Sequence, residues 1–150
     1  FCQMALEKKI IGKSDHADFP KLKLEDISVK IDTGAYTSSI HCDNIHVKDN
    51  VLYCNFLDPE HPQFNDKEFK FTDFELKSVK SSNGIAQNRY LIKTTIKLFG
   101  KTYPITLSLN NRQEMKFPVL LGRKFLNNKY IVDTQLKDLS YNLKNDTNPS

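Results

Sequence analysis

Residues 29–35 have the sequence Val29-Lys30-Ile31-Asp32-Thr33-Gly34-Ala35. Its apolar residues continue the alternation that begins at Ile27, which is typical of a strand with one buried face. The strand ends in a carboxylate, and an apolar environment makes a carboxylate costly to ionise unless neighbouring groups hold it. Gly34 lets the backbone approach Asp32 closely, and Thr33 supplies a hydroxyl for hydrogen bonding. The pattern therefore favours a tight turn in which the Asp32 carboxylate is held in position as a candidate catalytic acid.

A second apolar run lies far along the chain and also ends at a glycine. It has the sequence Phe117-Pro118-Val119-Leu120-Leu121-Gly122-Arg123. Residues 123–128, which begin at the last residue of this run, predict one or two turns of helix. The two stretches are informative as a pair, because each ends an apolar run with a glycine and a polar residue.

In this order the two stretches resemble those of the retropepsin-like aspartic proteases, whose Asp-Thr-Gly-Ala turn and apolar-apolar-Gly-Arg segment cross beneath the active site. More specifically, the sequence resembles the bacterial family labelled ATP-dependent zinc proteases, which are encoded near, or fused to, ATP-grasp ligases. The resemblance covers about residues 9–135. The matching features are Ile11-Gly12, residues 30–38 with His41, Arg89, Leu109-Asn110-Asn111-Arg112, Met115, and residues 118–123 with Val132-Asp133.

The resemblance implies that Asp32, Thr33 and Gly34 form the catalytic turn. Peptide hydrolysis of this kind uses two carboxylates that share one proton. At Asp133-Thr134 the glycine is replaced by Gln135, and we expect its absence to prevent the same turn, which leaves Asp133 structural. The second acid is then predicted to be Asp32 of another copy in a two-fold homodimer. Ala35 cannot donate a hydroxyl to the ionised pair, which predicts a pH optimum nearer to neutral.

Residues 78–89 are predicted to form a flap, in which Gly84 is a flexible tip and Ile85 covers the substrate; a plain β-turn is the alternative. Where retroviral relatives have an acid that pairs with the Gly-Arg arginine, this chain has Tyr36. Arg123 is therefore expected either to pair with Glu114 or Asp133, or to bind a substrate carboxylate together with other arginines. The predicted substrate-binding residues are Ala35, Gly84, Ile85, Arg89, Arg112 and Arg123.

The function implied by the resemblance is that of a homodimeric aspartic endopeptidase acting on a peptide or protein, with acidic or ligase-modified protein tails as one substrate class. One alternative is a non-catalytic module that binds an extended peptide, with Asp32 as an anchor. Another is a metallohydrolase that uses the cluster His41, Cys42, Asp43 and His46. We expect no metal or other cofactor, because adjacent residues of a strand point to opposite faces and the sequence has no P-loop.

Composition limits the remaining possibilities. The chain has 150 residues, and we expect one domain with a core at about 9–135 and a polar, frayed tail at 137–150. There are 22 basic and 18 acidic residues without a dense basic stripe, so no nucleic-acid partner is expected. No apolar run approaches the length of a membrane span. A cytoplasmic location is predicted, or a periplasmic one if the chain is a trimmed precursor.

The predicted fold is mostly β, a closed retropepsin-like barrel with one short C-terminal helix. Strands at 45–47 and 51–56 flank a hairpin turn, and a long strand is expected at 90–98. Residues 13–25 are predicted to be a loop, and a change of alternation at Thr72-Asp73 predicts a β-bulge. The cysteines are expected to be free thiols, although a Cys42–Cys54 bridge is possible if their strands pair.

Overall fold

The computed structural model describes residues 8–57, 68–80, 84–111 and 117–145. The described chain is mostly β, with two short helices. The strands are β1 (Lys9–Ile11), β2 (Ser14–Phe19), β3 (Leu24–Ile31), β4 (Ser38–Lys48), β5 (Val51–Phe56), β6 (Phe69–Phe71), β7 (Phe74–Lys80), β8 (Ala86–Leu98), β9 (Lys101–Asn110), β10 (Val119–Leu121) and β11 (Tyr130–Val132). The helices are α1 (Arg123–Leu126) and α2 (Leu139–Asn145), and a 3-10 turn covers Pro20–Leu22.

Among the described strands, six close a barrel. Their order is β10–β3–β2–β8–β9–β4, and β4 pairs back onto β10. β10 runs parallel to β3 and antiparallel to β4. β5 and β6 extend the sheet beyond β4, β7 pairs with β8, and β1 and β11 form a separate parallel pair. This closed barrel confirms the predicted retropepsin-like architecture.

The barrel interior is filled by every second residue of its strands. In β8, Ile92, Ile96 and Leu98 are buried, whereas Lys93 and Lys97 are exposed, so the predicted alternation of this strand is confirmed. In β3 the same period buries Ile27, Val29 and Ile31. β3 ends at Ile31, and the next residue, Asp32, therefore lies at the boundary of the core.

The prediction of a loop at 13–25 is wrong. Residues 14–19 form β2, which pairs with β3, and Pro20 begins the 3-10 turn. β2 does alternate, because Asp15, Ala17 and Phe19 are all buried. Because Asp15 is charged but occupies an inward-facing position, a search for alternating apolar residues does not detect this strand.

The bulge predicted at Thr72-Asp73 is instead a break between two strands. β6 pairs with β5, whereas β7 pairs with β8. The alternation therefore changes phase because the chain leaves one sheet neighbour and joins another.

The predicted frayed tail is wrong for residues 139–145, which form α2. Both carboxylate oxygens of Asp15 accept backbone hydrogen bonds from the start of this helix: Oδ2 from Ser140 N–H at 2.8 Å and Oδ1 from Tyr141 N–H at 3.0 Å. The first N–H groups of a helix lack partners within the helix, so Asp15 satisfies them from a distant strand. Within the described ranges, no helix has the length and apolar character needed to cross a membrane.

Cys42 and Cys54 are both buried, and both are free thiols. Their strands, β4 and β5, do pair as an antiparallel hairpin, which confirms the hairpin prediction. Burial raises the pKa of the Cys42 thiol, and contact with Cys54 raises this pKa further. A neutral thiol is a poor nucleophile, so Cys42 acts as a small core residue.

Candidate active site

Asp32 is held in a tight turn at the end of β3. Its backbone N–H donates to the carbonyl of Leu121 at 2.9 Å, which continues the pairing with β10 by one residue. Its side-chain Oδ1 accepts a hydrogen bond from Gly34 N–H at 3.1 Å, and its carbonyl accepts one from Ala35 N–H at 3.3 Å. Asp32 is half-buried, Thr33 and Gly34 are exposed, and Ala35 is buried. The turn therefore fixes the carboxylate while leaving its neighbourhood open to a substrate.

Gly122 allows the second motif to pass directly beneath the turn. A Cβ at this position would lie 2.6 Å from the carbonyl oxygen of Tyr36 and 2.9 Å from that of Ala35, which is closer than real Cβ contacts. The Gly122 N–H donates to the Ser38 hydroxyl at 3.0 Å. Glycine is required here because two backbone segments approach without room for a side chain.

Arg123 joins the two motifs. Its backbone N–H donates to the Ala35 carbonyl at 2.9 Å, and its guanidinium donates to the Thr33 carbonyl at 2.9 Å. The guanidinium also lies 5.8 Å from the centre of the Tyr36 ring, within the range of a cation–π contact. Tyr36 thus contacts Arg123 from the position that carries an acid in retroviral relatives.

The expected ion pair between Arg123 and Asp133 is absent from the described part of the chain. The other expected partner, Glu114, lies outside the described residues. Asp133 instead uses Oδ1 to accept a hydrogen bond from Gln135 N–H at 3.0 Å. The structural ion-pair interpretation is therefore wrong for Asp133.

The turn at Asp133 has the same hydrogen bonds as the turn at Asp32, so our expectation that Gln135 would prevent it is wrong. Asp133 N–H donates to the Ile11 carbonyl at 2.9 Å, and Leu136 N–H donates to the Asp133 carbonyl at 3.1 Å. The preceding strand, β11, runs parallel to β1, with Val132 beside Ile11. In β3 and β10 the corresponding pair is Ile31 and Leu121.

Gly12 occupies the position in this second turn that Gly122 occupies in the first. A Cβ on Gly12 would lie 2.3 Å from the carbonyl oxygen of Leu136. The next residue, Lys13, donates its N–H to that carbonyl at 2.7 Å, as Arg123 does to Ala35. The described chain therefore contains two copies of one local arrangement, an acidic turn against a glycine-containing strand. The two copies differ in sequence: the first has Asp-Thr-Gly, whereas the second has Gln135 in place of the glycine.

The predicted flap region lies on the hairpin of β7 and β8, in which Lys80 pairs with Ala86. Residues 81–83, which carry most of the predicted turn, lie outside the described residues. Gly84 has φ of +88°, a conformation that favours glycine. Among the described residues other than its chain neighbours, no atom lies within 4 Å of where its Cβ would be. Ile85 is 58% exposed. An exposed apolar residue beside this glycine agrees with a covering role, which stays a prediction.

Arg89 is positioned by neighbouring amide side chains. Its guanidinium donates to Oδ1 of Asn110 at 2.9 Å and to Oε1 of Gln87. Asn110 is itself buried at the end of β9, beside His41 of β4. Arg112, the remaining predicted arginine, lies outside the described residues.

The described residues contain no group of three or more His, Cys, Asp or Glu side chains arranged to hold a metal ion. His41 and Cys42 are buried in β4. His46 is exposed, stacks on Tyr53 with ring centres 5.1 Å apart, and lies 3.8 Å from the Glu68 carboxylate. The sequence cluster is therefore dispersed in the folded chain.

The family model that describes the retropepsin-like aspartic endopeptidase RimB matches residues 10–141. The chain belongs to this RimB-like family. The match includes the Asp32 turn, β10 and its Gly-Arg pair, and it extends into α2. The matched residues thus include the described elements that form the candidate site.

Curated relatives of the RimB-like chain carry the name probable alpha-L-glutamate ligase. One from Desulfotalea psychrophila is 34% identical over 138 residues, which cover 88% of this chain and 29% of that protein. One from Shewanella pealeana is 36% identical over 138 residues, covering 87% of this chain and 29% of that protein. The chain therefore spans less than a third of the length of these relatives.

A solved structure has the same fold. It is a crystal structure of a Legionella pneumophila protein of unknown function, with a TM-score of 0.67 and 28% identity. The alignment covers 89% of this chain and 99% of that one. The RimB-like barrel is thus similar to one that has been observed by experiment.

Proposed function

We propose that this RimB-like chain is an aspartic endopeptidase that is active as a homodimer, with the two copies of Asp32 sharing one proton. The observation that supports this most directly is the Asp32 turn. A carboxylate at the end of a buried strand accepts the Gly34 N–H, and its turn is fixed by β10 and Arg123. Such pre-positioning is what a catalytic acid requires, because small displacements of catalytic groups reduce rates strongly.

The dimer follows from the chemistry. Two carboxylates in contact share one proton, because two negative charges at that distance repel each other. The ionised Asp32 would remove a proton from water as that water attacks the peptide carbonyl, and the partner's Asp32 would donate its proton to the carbonyl oxygen. The first Asp32, now protonated, would then donate its proton to the amide nitrogen, while the partner's Asp32, now ionised, takes a proton from a hydroxyl of the gem-diol. The C–N bond breaks, the amine leaves, and the pair again holds one shared proton. A two-fold axis supplies two equivalent acids from one motif.

Acidic or ligase-modified protein tails are the proposed substrate class. The relatives with the same region are named as glutamate ligases, which suggests that a chain rich in carboxylates is encountered by this domain. The chain has a net charge of +4. Arg123 uses one guanidinium nitrogen to bind the Thr33 carbonyl, and its other N–H donors could bind a substrate carboxylate. Arg89, which Asn110 and Gln87 hold in place, is the second proposed contact.

The alternative is a peptide-binding module that does not cut. In the described part of the structure, β7 pairs only with β8. A strand with one unpaired edge can accept an extended peptide through backbone hydrogen bonds. Asp32 would then anchor the peptide.

The two functions are separated by replacing Asp32. We expect Asp32→Asn to reduce cleavage of an acidic fluorogenic peptide by about 10³-fold or more, because the dyad loses an acid–base group. Asp133→Asn makes the same change in the matching turn and is expected to retain activity. Cleavage should be blocked by a statine-type inhibitor and should survive a chelator.

Sedimentation of the same samples tests the dimer. Activity should follow the dimer fraction as the protein is diluted. A cleaving monomer would contradict the shared dyad, and peptide binding without cleavage in the unmodified protein would support the binding module. Inhibition by chelators alone would indicate a metallohydrolase.

A further inference from the structure

A cavity of about 260 Å³ lies between α1 and the hairpin of β8 and β9. Asp32 is not among its lining residues. It is close to the low end of the range for ligand pockets, roughly 300–1,000 Å³, so it suits a small ligand or a single side chain. The lining residues are Ser38, Lys93, Thr94, Pro104, Ile105, Thr106, Lys124, Phe125 and Lys129.

The charged residues that line this cavity are all basic within the described chain. Lys129 is fixed in place, because its Nζ donates to the Phe125 carbonyl at 3.0 Å and lies 4.9 Å from the centre of the Phe125 ring. Lys93 and Lys124 are exposed at the rim. The Glu75 carboxylate, which forms an ion pair with Lys77, also interacts with Lys93 and Lys124. The lysines outnumber this one acid, so the charge near the cavity stays positive and favours an anionic ligand.

The Thr94 hydroxyl is a buried polar group that lacks a hydrogen-bond partner among the described residues. Thr94 is 5% exposed, and the unpaired atom is its Oγ1. Buried hydroxyls are normally paired, because an unpaired one costs free energy. Ser38 adds a second donor: its Oγ accepts the Gly122 N–H, which leaves its own O–H available to an acceptor.

Apart from Thr106, the rest of the lining is apolar and comes from Pro104, Ile105 and Phe125. An inorganic anion has no apolar group that could pack against these apolar residues. A carboxylate on a short aliphatic body would contact the apolar residues and place its oxygens near the hydroxyls and ammonium groups.

We propose that this cavity binds the carboxylate of a ligand with a short aliphatic body, at a site separate from Asp32. Two sources of this chemistry exist: a free dicarboxylate or a glutamyl side chain of a peptide. The site does not require that the protein cleave peptides, so it stands or falls separately from the proposed function.

The test uses the Asp32→Asn protein, so that no peptide is cut, and the amide ¹H–¹⁵N spectrum as the readout. Glutarate and acetyl-tetraglutamate are titrated separately, with acetyl-tetraglutamine as the uncharged comparison. We expect shifts at Thr94, Thr106 and Phe125. Binding by glutarate identifies a free dicarboxylate as sufficient, and binding by the acidic peptide alone identifies the glutamyl side chain.

Three variants test the role of the lining residues, and a fourth, at Lys97, is the control. Thr94→Val, which removes the hydroxyl with little change in shape, should weaken binding about threefold to tenfold, and Thr94→Ser should restore it. Lys93→Gln combined with Lys124→Gln should weaken binding about tenfold or more. Lys97→Gln removes a lysine of β8 that does not line the cavity, and its effect should stay within about twofold.

The proposal is overturned if neither probe shifts the cavity residues at 10 mM, roughly the limit for a weak site. It is also overturned if Lys97→Gln weakens binding as much as the cavity variants, since that result would indicate attraction by net charge alone. Binding that Thr94→Val leaves unchanged would remove the buried hydroxyl from the site and contradict the proposal.

Discussion

The guanidinium of Arg123 donates a hydrogen bond to the backbone carbonyl of Thr33, across 90 residues of sequence. This contact connects the Gly-Arg motif to the turn that holds Asp32. Because the carbonyl belongs to the central residue of the Asp-Thr-Gly turn, the arginine stabilises the peptide plane next to the candidate catalytic acid. Loss of the guanidinium should therefore weaken the turn.

Arg123→Ala should lower the free energy of unfolding by about 1.5–2 kcal/mol, the low end of the range for a hydrogen bond from a charged donor, because this bond is exposed. Urea unfolding followed by circular dichroism measures this change. Lys124→Ala is the matched control, because Lys124 is equally exposed and only its backbone N–H contacts the turn, at Tyr36. The control should change stability by less than about 0.5 kcal/mol. Equal losses from both variants would contradict the stabilising role of the guanidinium.

Gly122→Ala and Gly12→Ala should each destabilise the fold by about 2–3 kcal/mol, because a Cβ would collide with a backbone carbonyl in both turns. Thermal unfolding measures the loss. Gly84→Ala is the control: its Cβ would meet open space, so only the strain at φ of +88° remains. That strain is worth about 1–2 kcal/mol. A harmless Gly12→Ala would show that the second turn can relax in a way that the first cannot.

Asp15 should make stability depend on pH. Burial raises the pKa of Asp15 above its ordinary value, although backbone hydrogen bonds from Ser140, His16 and Tyr141 oppose the shift. Between the ordinary and the raised pKa, the folded protein binds more protons than the unfolded chain. The Asp15 contribution to stability is therefore greatest below the ordinary value of about 3.9, and it is lost as pH rises through the raised pKa.

Asp15→Asn cannot titrate, so this part of the pH dependence should disappear from a series of urea midpoints. Asp49→Asn, a change of an exposed acid in the β4–β5 turn, serves as the control and should leave the slope as it is. An unchanged slope in Asp15→Asn would show that Asp15 does not cause it. The amide has only one acceptor oxygen, so docking of α2 should also weaken.

Ala35→Ser should shift the acid limb of the pH–rate profile to lower pH, if the chain cleaves peptides as proposed. A hydroxyl beside the ionised dyad stabilises its charge and lowers its pKa. A shift of about half a unit to one unit corresponds to one weak hydrogen bond. Ala86→Ser places the same group on the exposed start of β8 and should have no effect. A shift to higher pH would contradict the explanation.

The Asp32 site could be predicted because its information is local. The alternation of β3, the acid and Gly34 lie within a few residues, and β10 carries its own signal in its apolar residues and Gly122. Two other features depend on partners that no local pattern specifies. α2 begins at its position because Asp15, 125 residues earlier, accepts the Ser140 N–H. The same buried acid hides the alternation of β2.

The turn at Asp133 shows a different limit of prediction. The absence of glycine at Gln135 argued against the turn, yet the Asp133 carboxylate accepts the Gln135 N–H as Asp32 accepts that of Gly34. The glycine that this turn requires is Gly12, on the neighbouring strand, where a side chain would collide with Leu136. The prediction that this turn needs a glycine is correct, but the sequence pattern placed that glycine at position 135 and not at position 12. Such contacts are set by tertiary pairing and are visible only in the folded chain.

The insertion of β10 between β3 and β4 has a consequence during protein synthesis. When β3 and β4 leave the ribosome, the strand that must lie between them has not been translated. Contacts between residues far apart in sequence form slowly because a long loop must close first. A nascent chain therefore carries Asp32 without its final geometry until β10 emerges, and an unfinished polypeptide is expected to have no assembled acidic turn.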